Sequence, residues 1–483
     1  MNVDLQQIAR QVMIQRGFHP DFPAPAVQQS ASLQQRGLEF ESHDGFRDLR
    51  SLLWSSIDND TSRDLDQLEV AESLSNGDTR VLIAIADVDA LVSKATPIDQ
   101  HASSETTTVY TGVENFPMIP DALSTDLTSL LEAQDRAAII IEFVAKTDGT
   151  VGASDIYPAL VQNKAQLAYS AVGPWLDGFS STPPPKIAAS ADLQSQLKLQ
   201  NKAAQALRAQ RYRNGALNIE TIEVRPITLS DQAIDIVRQE KNLATELIED
   251  FMIAANGVVA RRLESISSIR RVVKTPKRWD RIVALAAEKG TKLPETADSR
   301  ALNDFLTQQK AADPLHFVDL SLAVIKLMGP GEYVLERPGD PEQGHFGLAV
   351  QDYTHSTAPN RRFADLVTQR LIKAQLAGKS NPYSDPELEA IAHACTERED
   401  AARKVEREMT KHIGAVAMRD RIGQTFDGVV TGVNKYGTFV RVLKPQVEGM
   451  LVQGAKGLDV GDQAQVKLVR TDPQRGFIDF ARA

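Results

Sequence analysis

Cysteine is nearly absent: the chain has 483 residues and one thiol, Cys395. A lone thiol makes neither an internal disulfide nor a cysteine-rich zinc site, and it points to a reducing, cytoplasmic compartment. Its simplest role is that of a small buried apolar residue. Long apolar runs are missing too. Runs such as residues 137–141 fall far short of the roughly 20 residues of a membrane span, so no membrane segment is expected. The first residues, Met-Asn-Val-Asp-Leu-Gln-Gln, carry an acid and no apolar stretch, so a secretory signal is not expected either. No fixed-period repeat or low-complexity tract is present. Basic charge is in deficit: 54 Lys and Arg stand against 64 Asp and Glu, a net charge of −10. That balance argues against a nucleic-acid partner only weakly, because local patches outweigh totals. The remaining composition, 42% hydrophobic and 24% charged, excludes disordered, collagen-like and coiled-coil classes. At roughly 100–200 residues per domain, the length suits two to four domains.

Four stretches follow. Residues 1–45 read as two short helices, with Leu5, Ile8 and Val12 on one face and a proline-rich break at 22–25. They are too few for a sizeable core of their own and suit a small helical module. Residues 46–380 mix both periodicities. Segments 81–88 (VLIAIADV) and 138–144 read as buried strands, while Leu243, Leu247, Phe251, Ala255 and Val258 predict a long amphipathic helix near 239–264. Segment 181–186 (STPPPK) reads as a surface loop. Residues 385–419 predict one long helix or two, with charges that suit a solvated face. From Gly423 the pattern becomes short alternating segments with glycine turns, predicting five strands of a small antiparallel barrel. This part holds eight basic and six acidic residues, against the acidic whole. Tyr436, Phe439 and Phe426 are either its core or stacking surfaces for a single-stranded nucleic acid.

The sharpest local feature is the string 57–69, IDNDTSRDLDQLE, with Asp58, Asp60, Asp64 and Asp66 within nine residues. Such crowding suits a solvated acidic loop or a hard cation such as Mg2+, Mn2+ or Ca2+ held by oxygens. One alternative is a calcium hand, with Asp58, Asp60, Ser62, Asp64, Asp66 and Glu69 as its ligand positions and 46–54 as its first helix. Against it, the turn position that needs glycine is Arg63, and the strand-like VLIAIADV follows. A phosphodiester-cleaving site needs a metal to acidify water and an arginine fork for developing charge. Arg361 and Arg362, in HSTAPNRRFADL (355–366), offer the second.

Several segments together resemble one family, the ribonuclease II / ribonuclease R exoribonucleases. They are SIDNDTSRDLDQL (56–68), VLIAIADV (81–88), FPMIPDALSTDLTSLLEAQDR (116–136), NKAQLAY (163–169), LIEDFMIAAN (247–256), HFGLA (345–349) and DYTHSTAPNRRFADL (352–366). The resemblance implies an α+β chain: a mixed catalytic domain with a central β-sheet and surrounding helices over 46–380, a helical extension over 381–422, and a five-stranded OB barrel of the S1 kind over 423–483. The family usually begins with two cold-shock barrels, which 45 residues cannot hold, so a helical module of helix-turn-helix type is expected at 1–45 instead. Carried over by position, Asp58, Asp64 and Asp66 match metal-binding and catalytic aspartates, and Gln67 replaces the usual fourth. An amide still offers a carbonyl oxygen but no charge. Asp60 is an extra carboxylate nearby.

The same comparison makes Arg361 the arginine on the scissile phosphate, with Arg362 beside it. It makes Tyr110 and Tyr169 the tyrosines that position the RNA 3′ end, Tyr212 an aromatic stacked on terminal bases, and Glu249 the acid that fixes the last ribose. Tyr110 and Tyr169 have a plainer, second reading as ordinary half-buried strand residues; His345 and His355 read as structural hydrogen-bonding groups before ligands, and Asp87 reads equally as a turn cap or a metal ligand. The implied activity is processive 3′→5′ hydrolysis of single-stranded RNA to nucleoside 5′-monophosphates with Mg2+ (or Mn2+) by a cytoplasmic monomer. Gln67 keeps open a second expectation, an RNA-binding regulator that retains the fold without cleavage.

Overall fold

The computed structural model describes residues 3–37, 45–220, 223–229, 232–239, 241–314, 316–341 and 343–483, except for the side chains of 223–239 and Leu443. Helix α1 (Leu5–Gln15) starts at Asp4, whose carboxylate accepts the Gln7 N–H at 2.8 Å, satisfying a first-turn amide. Helix α2 (Ala24–Arg36) follows the proline break. The two helices do not share a core. Ala26 and Leu33 of α2 join the core of the central sheet, whereas Leu5, Ile8, Val12 and Met13 of α1 pack into a second core at the C-terminal end of the molecule.

Strands β1 (Arg47–Asp48), β2 (Ser55–Asp58), β3 (Gln67–Ser73) and β4 (Thr79–Ala86) lead through α3 (Pro97–Glu105) to a small ribbon, β5 (Val109–Tyr110) with β6 (Asn115–Phe116). Then come β7 (Asp135–Ala145), β8 (Val151–Gln162) and β9 (Ala165–Ala168). Apart from the ribbon, these strands form one sheet in the order β1-β8-β7-β4-β3-β2-β9. Strand β4 is buried almost throughout and β7 along its centre, because layers cover both faces. That double burial is why both read as continuous apolar runs rather than alternating ones. Residues 46–54 hold β1 and turns instead of a helix, and β3 follows the acidic loop, so the calcium-hand alternative fails.

One covering layer is built from α4 (Tyr169–Leu176), α5 (Pro185–Ala188) and α6 (Ala191–Asn214); after the hairpin of β10 (Glu223–Leu229) and β11 (Gln232–Gln239), α7 (Leu243–Arg262) completes it. The STPPPK loop therefore ends at Pro184, and proline at the start of α5 fits a position whose N–H has no helical partner. Helix α7 buries Leu247, Phe251, Ala255 and Val258, as their spacing predicts, and Phe251 meets Phe143 of β7 edge to face at 6.3 Å. Strands β12 (Ser268–Val272) and β13 (Glu332–Glu336) pair across an inserted bundle of α8 (Trp279–Glu288), α9 (Ser299–Ala312) and α10 (Phe317–Met328), which has its own core.

Helix α11 (Phe363–Leu376) precedes α12 (Asp385–Met418), a single helix of 34 residues and roughly 50 Å at 1.5 Å per residue. It starts in a capping box between Ser384 and Glu387. Its first half puts Leu388, Ala392 and the buried Cys395 into the sheet core; its second half puts Val405, Met409 and Ile413 into the core shared with α1. The helix is thus a strut between the two ends of the molecule. Strands β14 (Thr425–Asn434), β15 (Gly437–Leu443), β16 (Gln446–Gln453), β17 (Gln463–Asp472) and β18 (Phe477–Arg482) close a barrel in the order β14-β15-β16-β18-β17. Of its aromatics, Tyr436 is 73% exposed, Phe439 is half-buried, and Phe426 packs against the core. Because Met13 is buried in the core where α1 packs on α12, Met13→Ala should cost roughly 2–5 kcal/mol, seen as a lower urea midpoint.

Candidate active site

Strand β2 runs antiparallel to β3 with Ser55 opposite Glu69. Asp58, three residues onward, and Asp66, three residues back, therefore leave the sheet at the same level. The chain between them is fixed by its neighbours. The Ala86 N–H donates to the Asp66 carbonyl at 3.0 Å, and the Leu65 N–H donates to Ser129 Oγ at 2.9 Å. The Asp66 side chain, in a residue 2% exposed, accepts Arg361 Nε at 3.0 Å and the Asn360 N–H at 3.2 Å. Asn360 is held in turn by Thr128, whose hydroxyl donates to its side-chain oxygen at 2.5 Å. Residues 360 and 361 lie in the turn before α11, so the two ends of the constellation meet across 295 positions of sequence.

Arg361 stands over a cavity of about 600 Å3 also lined by Asp58, Asp64, Tyr110, Tyr169, Thr245 and Glu249. The Tyr110 hydroxyl donates to Asp64 Oδ2 at 2.9 Å. Asp58 accepts the Asn59 N–H at 2.7 Å and the Ser62 hydroxyl at 3.0 Å. Asp60 is taken up outside this set by Ser170, whose hydroxyl donates to it at 2.6 Å. Tyr169 opens α4 where β9 ends, so it is a helix-start residue. Glu249, on α7, pairs with Lys241 at 2.8 Å.

The electrostatics mark this as a place that resists negative charge. Burial raises the Asp66 carboxyl to about 7; Asp64 pushes the same way, and Arg361 with the Asn360 N–H opposes. Burial likewise raises Asp58, with Asp64 adding to it against Asn59, Ser62 and Arg361. Tyr110 and Tyr169 are held above the ordinary tyrosine range, chiefly by burial and then by the aspartates beside them, with Arg361 opposing in both. Desolvation disfavours charge on Arg361 also, but Asp66, Tyr110 and Asp365 together outweigh it and the guanidinium stays protonated. Beneath this group lies Glu69, fully buried, with neither carboxylate oxygen partnered; burial and then Asp58 raise it well above the usual range.

Some expected residues are not brought together. Gln67 begins β3, buried, and is outside the cavity lining. Tyr212, near the end of α6, lines an adjoining cavity of about 350 Å3 that shares only Lys241 and Glu249 with the first. Arg362 is outside the lining of the first cavity and pairs with Asp365 at 2.6 Å, though with Arg361 and Tyr110 it lines a smaller one of about 190 Å3. His355 exchanges a hydrogen bond with the Tyr333 hydroxyl at 2.7 Å, and His345 accepts the Leu348 N–H at 3.1 Å, so both are structural. Asp87 caps a turn through the Ala90 N–H and pairs with Lys373 at 2.8 Å. Sequence reasoning missed Lys241 and Asn360, and took Glu69 only as a calcium-hand position. The last two stand inside strings already singled out; Lys241 had no signal beyond its place before a long helix.

A donor set of carboxylates alone fits a hard divalent cation, and the repulsion among Asp58, Asp64 and Asp66 is the kind a cation relieves. As the side chains stand, each is turned to a protein partner, and among the described residues no three acidic, histidine or cysteine groups are close enough to hold an ion. These contacts use only Oδ1 of Asp58 and Oδ2 of Asp64, so each has its other oxygen to offer an ion, whereas both oxygens of Asp66 are engaged by Arg361 and the Asn360 N–H.

Comparison with known proteins agrees with this geometry. The RNB domain profile matches residues 46–378, and that of the RNase II-type exonuclease C-terminal S1 domain matches 424–483. Ribonuclease R of Thermotoga maritima is 29% identical over 500 residues, covering 95% of this chain and 68% of its own length. For Ribonuclease R of Escherichia coli the identity is 29% over 455 residues, covering 89% and 54%. The chain thus spans about half to two-thirds of such relatives. Among solved structures, Mycoplasma genitalium RNase R in complex with ribose methylated single-stranded RNA superposes with a TM-score of 0.87 at 24% identity, covering 100% of this chain and 78% of that one. Yeast Ssd1, described as a pseudonuclease, superposes at 0.70 and 16% identity, covering 96% and 57%. Both share the fold.

Proposed function

The chain belongs to the RNB family, and from that premise we propose that it is a 3′→5′ exoribonuclease, hydrolysing single-stranded RNA processively to nucleoside 5′-monophosphates with Mg2+ or Mn2+. The observation that carries the reading is Arg361, which lines one cavity with Asp58, Asp64, Tyr110, Tyr169 and Glu249 and is held from behind by the buried Asp66, inside the matched domain. Asp58, Asp64 and Asp66 are the residues to hold the divalent ion, which when bound acidifies a water and screens the phosphate.

The protein's own groups do the rest. Arg361 uses Nε for Asp66, and its side chain is 42% exposed, which turns the remaining donors of its fork toward a phosphate in the cavity. Tyr110 and Tyr169 flank that position as faces and donors for the terminal nucleotides. Glu249 accepts from a ribose hydroxyl, and Tyr212, in the adjoining cavity, receives a base on its ring. The barrel, with Tyr436 outermost, offers a surface to the incoming strand, and the protein works as a monomer in the cytoplasm. Gln67 favours a second reading, an RNA-binding protein without cleavage.

Incubation of 5′-labelled single-stranded RNA, and of a duplex with a 3′ overhang, separates the two. A single short labelled limit fragment with Mg2+, without accumulating intermediates, is the expected result, because 3′→5′ release leaves the label on the last piece. Internal cuts, or binding without cleavage at any divalent-ion concentration, would refute the exonuclease.

A further inference from the structure

The string 116–136 is one of the long motifs of the sequence, yet none of its residues lines the catalytic cavity. It makes a wide turn at Leu123–Leu127, closed by the Thr128 N–H on the Leu123 carbonyl at 2.9 Å, five residues back. Turns of this π type are rare and gather at functional sites. The next two residues, Thr128 and Ser129, are buried, and each is bonded to one half of the constellation.

Residues 62–66 belong to neither helix nor strand, so their main chain depends on outside partners for its conformation. Ser129 is the chief one. Its hydroxyl donates to the Arg63 carbonyl at 2.6 Å and accepts the Leu65 N–H at 2.9 Å. Those groups lie on the two peptide planes that flank Asp64. A peptide unit is rigid, so holding both planes fixes the two backbone rotations of Asp64, and with them the direction in which its carboxylate leaves the chain. The Leu130 N–H adds a bond to the Leu65 carbonyl at 3.0 Å. Thr128 serves the other half. Its hydroxyl meets Asn360 Oδ1 at 2.5 Å and also the Leu123 carbonyl at 2.8 Å. Asn360 gives its N–H to Asp66 and immediately precedes Arg361. The turn is itself anchored, since the buried Arg136 of β7 donates through Nε to the Ser129 carbonyl at 3.0 Å and through Nη2 to that of Asp126 at 3.1 Å.

We infer that Thr128 and Ser129 are positioning residues for the reaction proposed above: Ser129 sets the direction of Asp64, and Thr128, through Asn360, holds the Asp66–Arg361 pair in register with it. The inference rests on the exonuclease reading and adds to it two adjacent hydroxyls that tie the acidic loop and the arginine turn into one frame.

The test measures, on the full chain, single-turnover hydrolysis of single-stranded RNA, RNA affinity, Mn2+ affinity by electron paramagnetic resonance, and melting temperature. Ser129→Ala should hydrolyse RNA roughly tenfold more slowly and bind Mn2+ roughly tenfold more weakly, the usual range for losing a partner that orients a ligand. Thr128→Val keeps the shape, removes the hydroxyl and should be slowed to a similar degree. Thr128→Ser, which keeps the hydroxyl, should restore the wild-type rate. RNA affinity should stay within about twofold throughout, because contacts along the strand supply it. With Asn360→Ala already present, Thr128→Val should have no further effect, because its route to Asp66 is cut. Leu302→Ala, in the separate core of the inserted bundle, should melt earlier and keep the wild-type rate, which separates lost stability from lost positioning. Wild-type rate and Mn2+ affinity in Ser129→Ala would overturn the inference for Asp64. A Thr128→Ser as slow as Thr128→Val, or losses from Thr128→Val and Asn360→Ala that add in full, would overturn it for Thr128. Equal slowing in Leu302→Ala, or RNA affinity falling in step with rate, would make both residues merely structural. A wild type that binds Mn2+ without cleaving RNA would bring down the exonuclease reading alone, and the Mn2+ affinity of Ser129→Ala would still decide whether Ser129 directs Asp64.

Discussion

Asp66→Asn should lower the rate of RNA hydrolysis by three orders of magnitude or more, about 4 kcal/mol of transition-state stabilisation. The substitution keeps the size of the side chain, so packing is not the cause. What changes is charge and hydrogen-bonding sense. The carboxylate accepts twice from the protein, once from the Arg361 fork and once from the Asn360 amide, and an amide can satisfy only one of these with its single oxygen. Its NH2 then faces a donor. The loss falls on the residue that holds Arg361 and that, in the proposed site, shares the divalent ion with Asp58 and Asp64, so two contributions go together. RNA binding should change far less, because phosphate and base contacts along the strand are spread over other surfaces. Folding should survive, because Arg361 is exposed enough to be solvated without its partner. Single-turnover digestion beside a binding isotherm separates these expectations. Wild-type turnover in the variant would remove Asp66 from the catalytic group.

The sequence showed those parts whose pattern is local. Strands β4 and β7 were readable because burial on both faces leaves an unbroken apolar run, and α7 because one face alone is apolar. The barrel was readable from alternation between glycine turns. Crowding of like charge gave away the aspartates without any contact being known. What stayed hidden depends on partners far along the chain. The burial of Asp66 is set by residues nearly 300 positions later. Helix α1 looked like part of a separate module because its partner, α12, begins only at Asp385. Arg361 and Arg362 looked equivalent, yet α11 begins at Phe363, so Arg362 is drawn to Asp365 three residues on while Arg361 remains in the turn above the cavity. Glu69 looked like the tail of an acidic loop because the string does not show where the loop ends and β3 begins.

Arg361 should give the other large effect, and one that separates charge from shape. Arg361→Lys keeps a cation but loses the planar fork that serves Asp66 with one edge and a phosphate with the other; hydrolysis should fall about a hundredfold. Arg361→Ala removes the cation as well and should fall a thousandfold or more, on the order of losing a preorganised donor to developing charge. Alanine has a second consequence. Asp66 then remains in a dry environment with only the Asn360 amide as partner. Removing one member of a fully buried ion pair costs about 3–5 kcal/mol. Since Arg361 is two-fifths exposed, a smaller loss, about 2 kcal/mol, is expected here. The double variant Asp66→Asn/Arg361→Ala should regain most of that stability while remaining inactive, because no unpaired charge is left to bury. Urea unfolding of the four proteins, each also assayed on labelled RNA, gives both cycles. Additive stability losses would mean that the two side chains do not depend on each other in the fold, and an active Arg361→Ala would place the phosphate elsewhere.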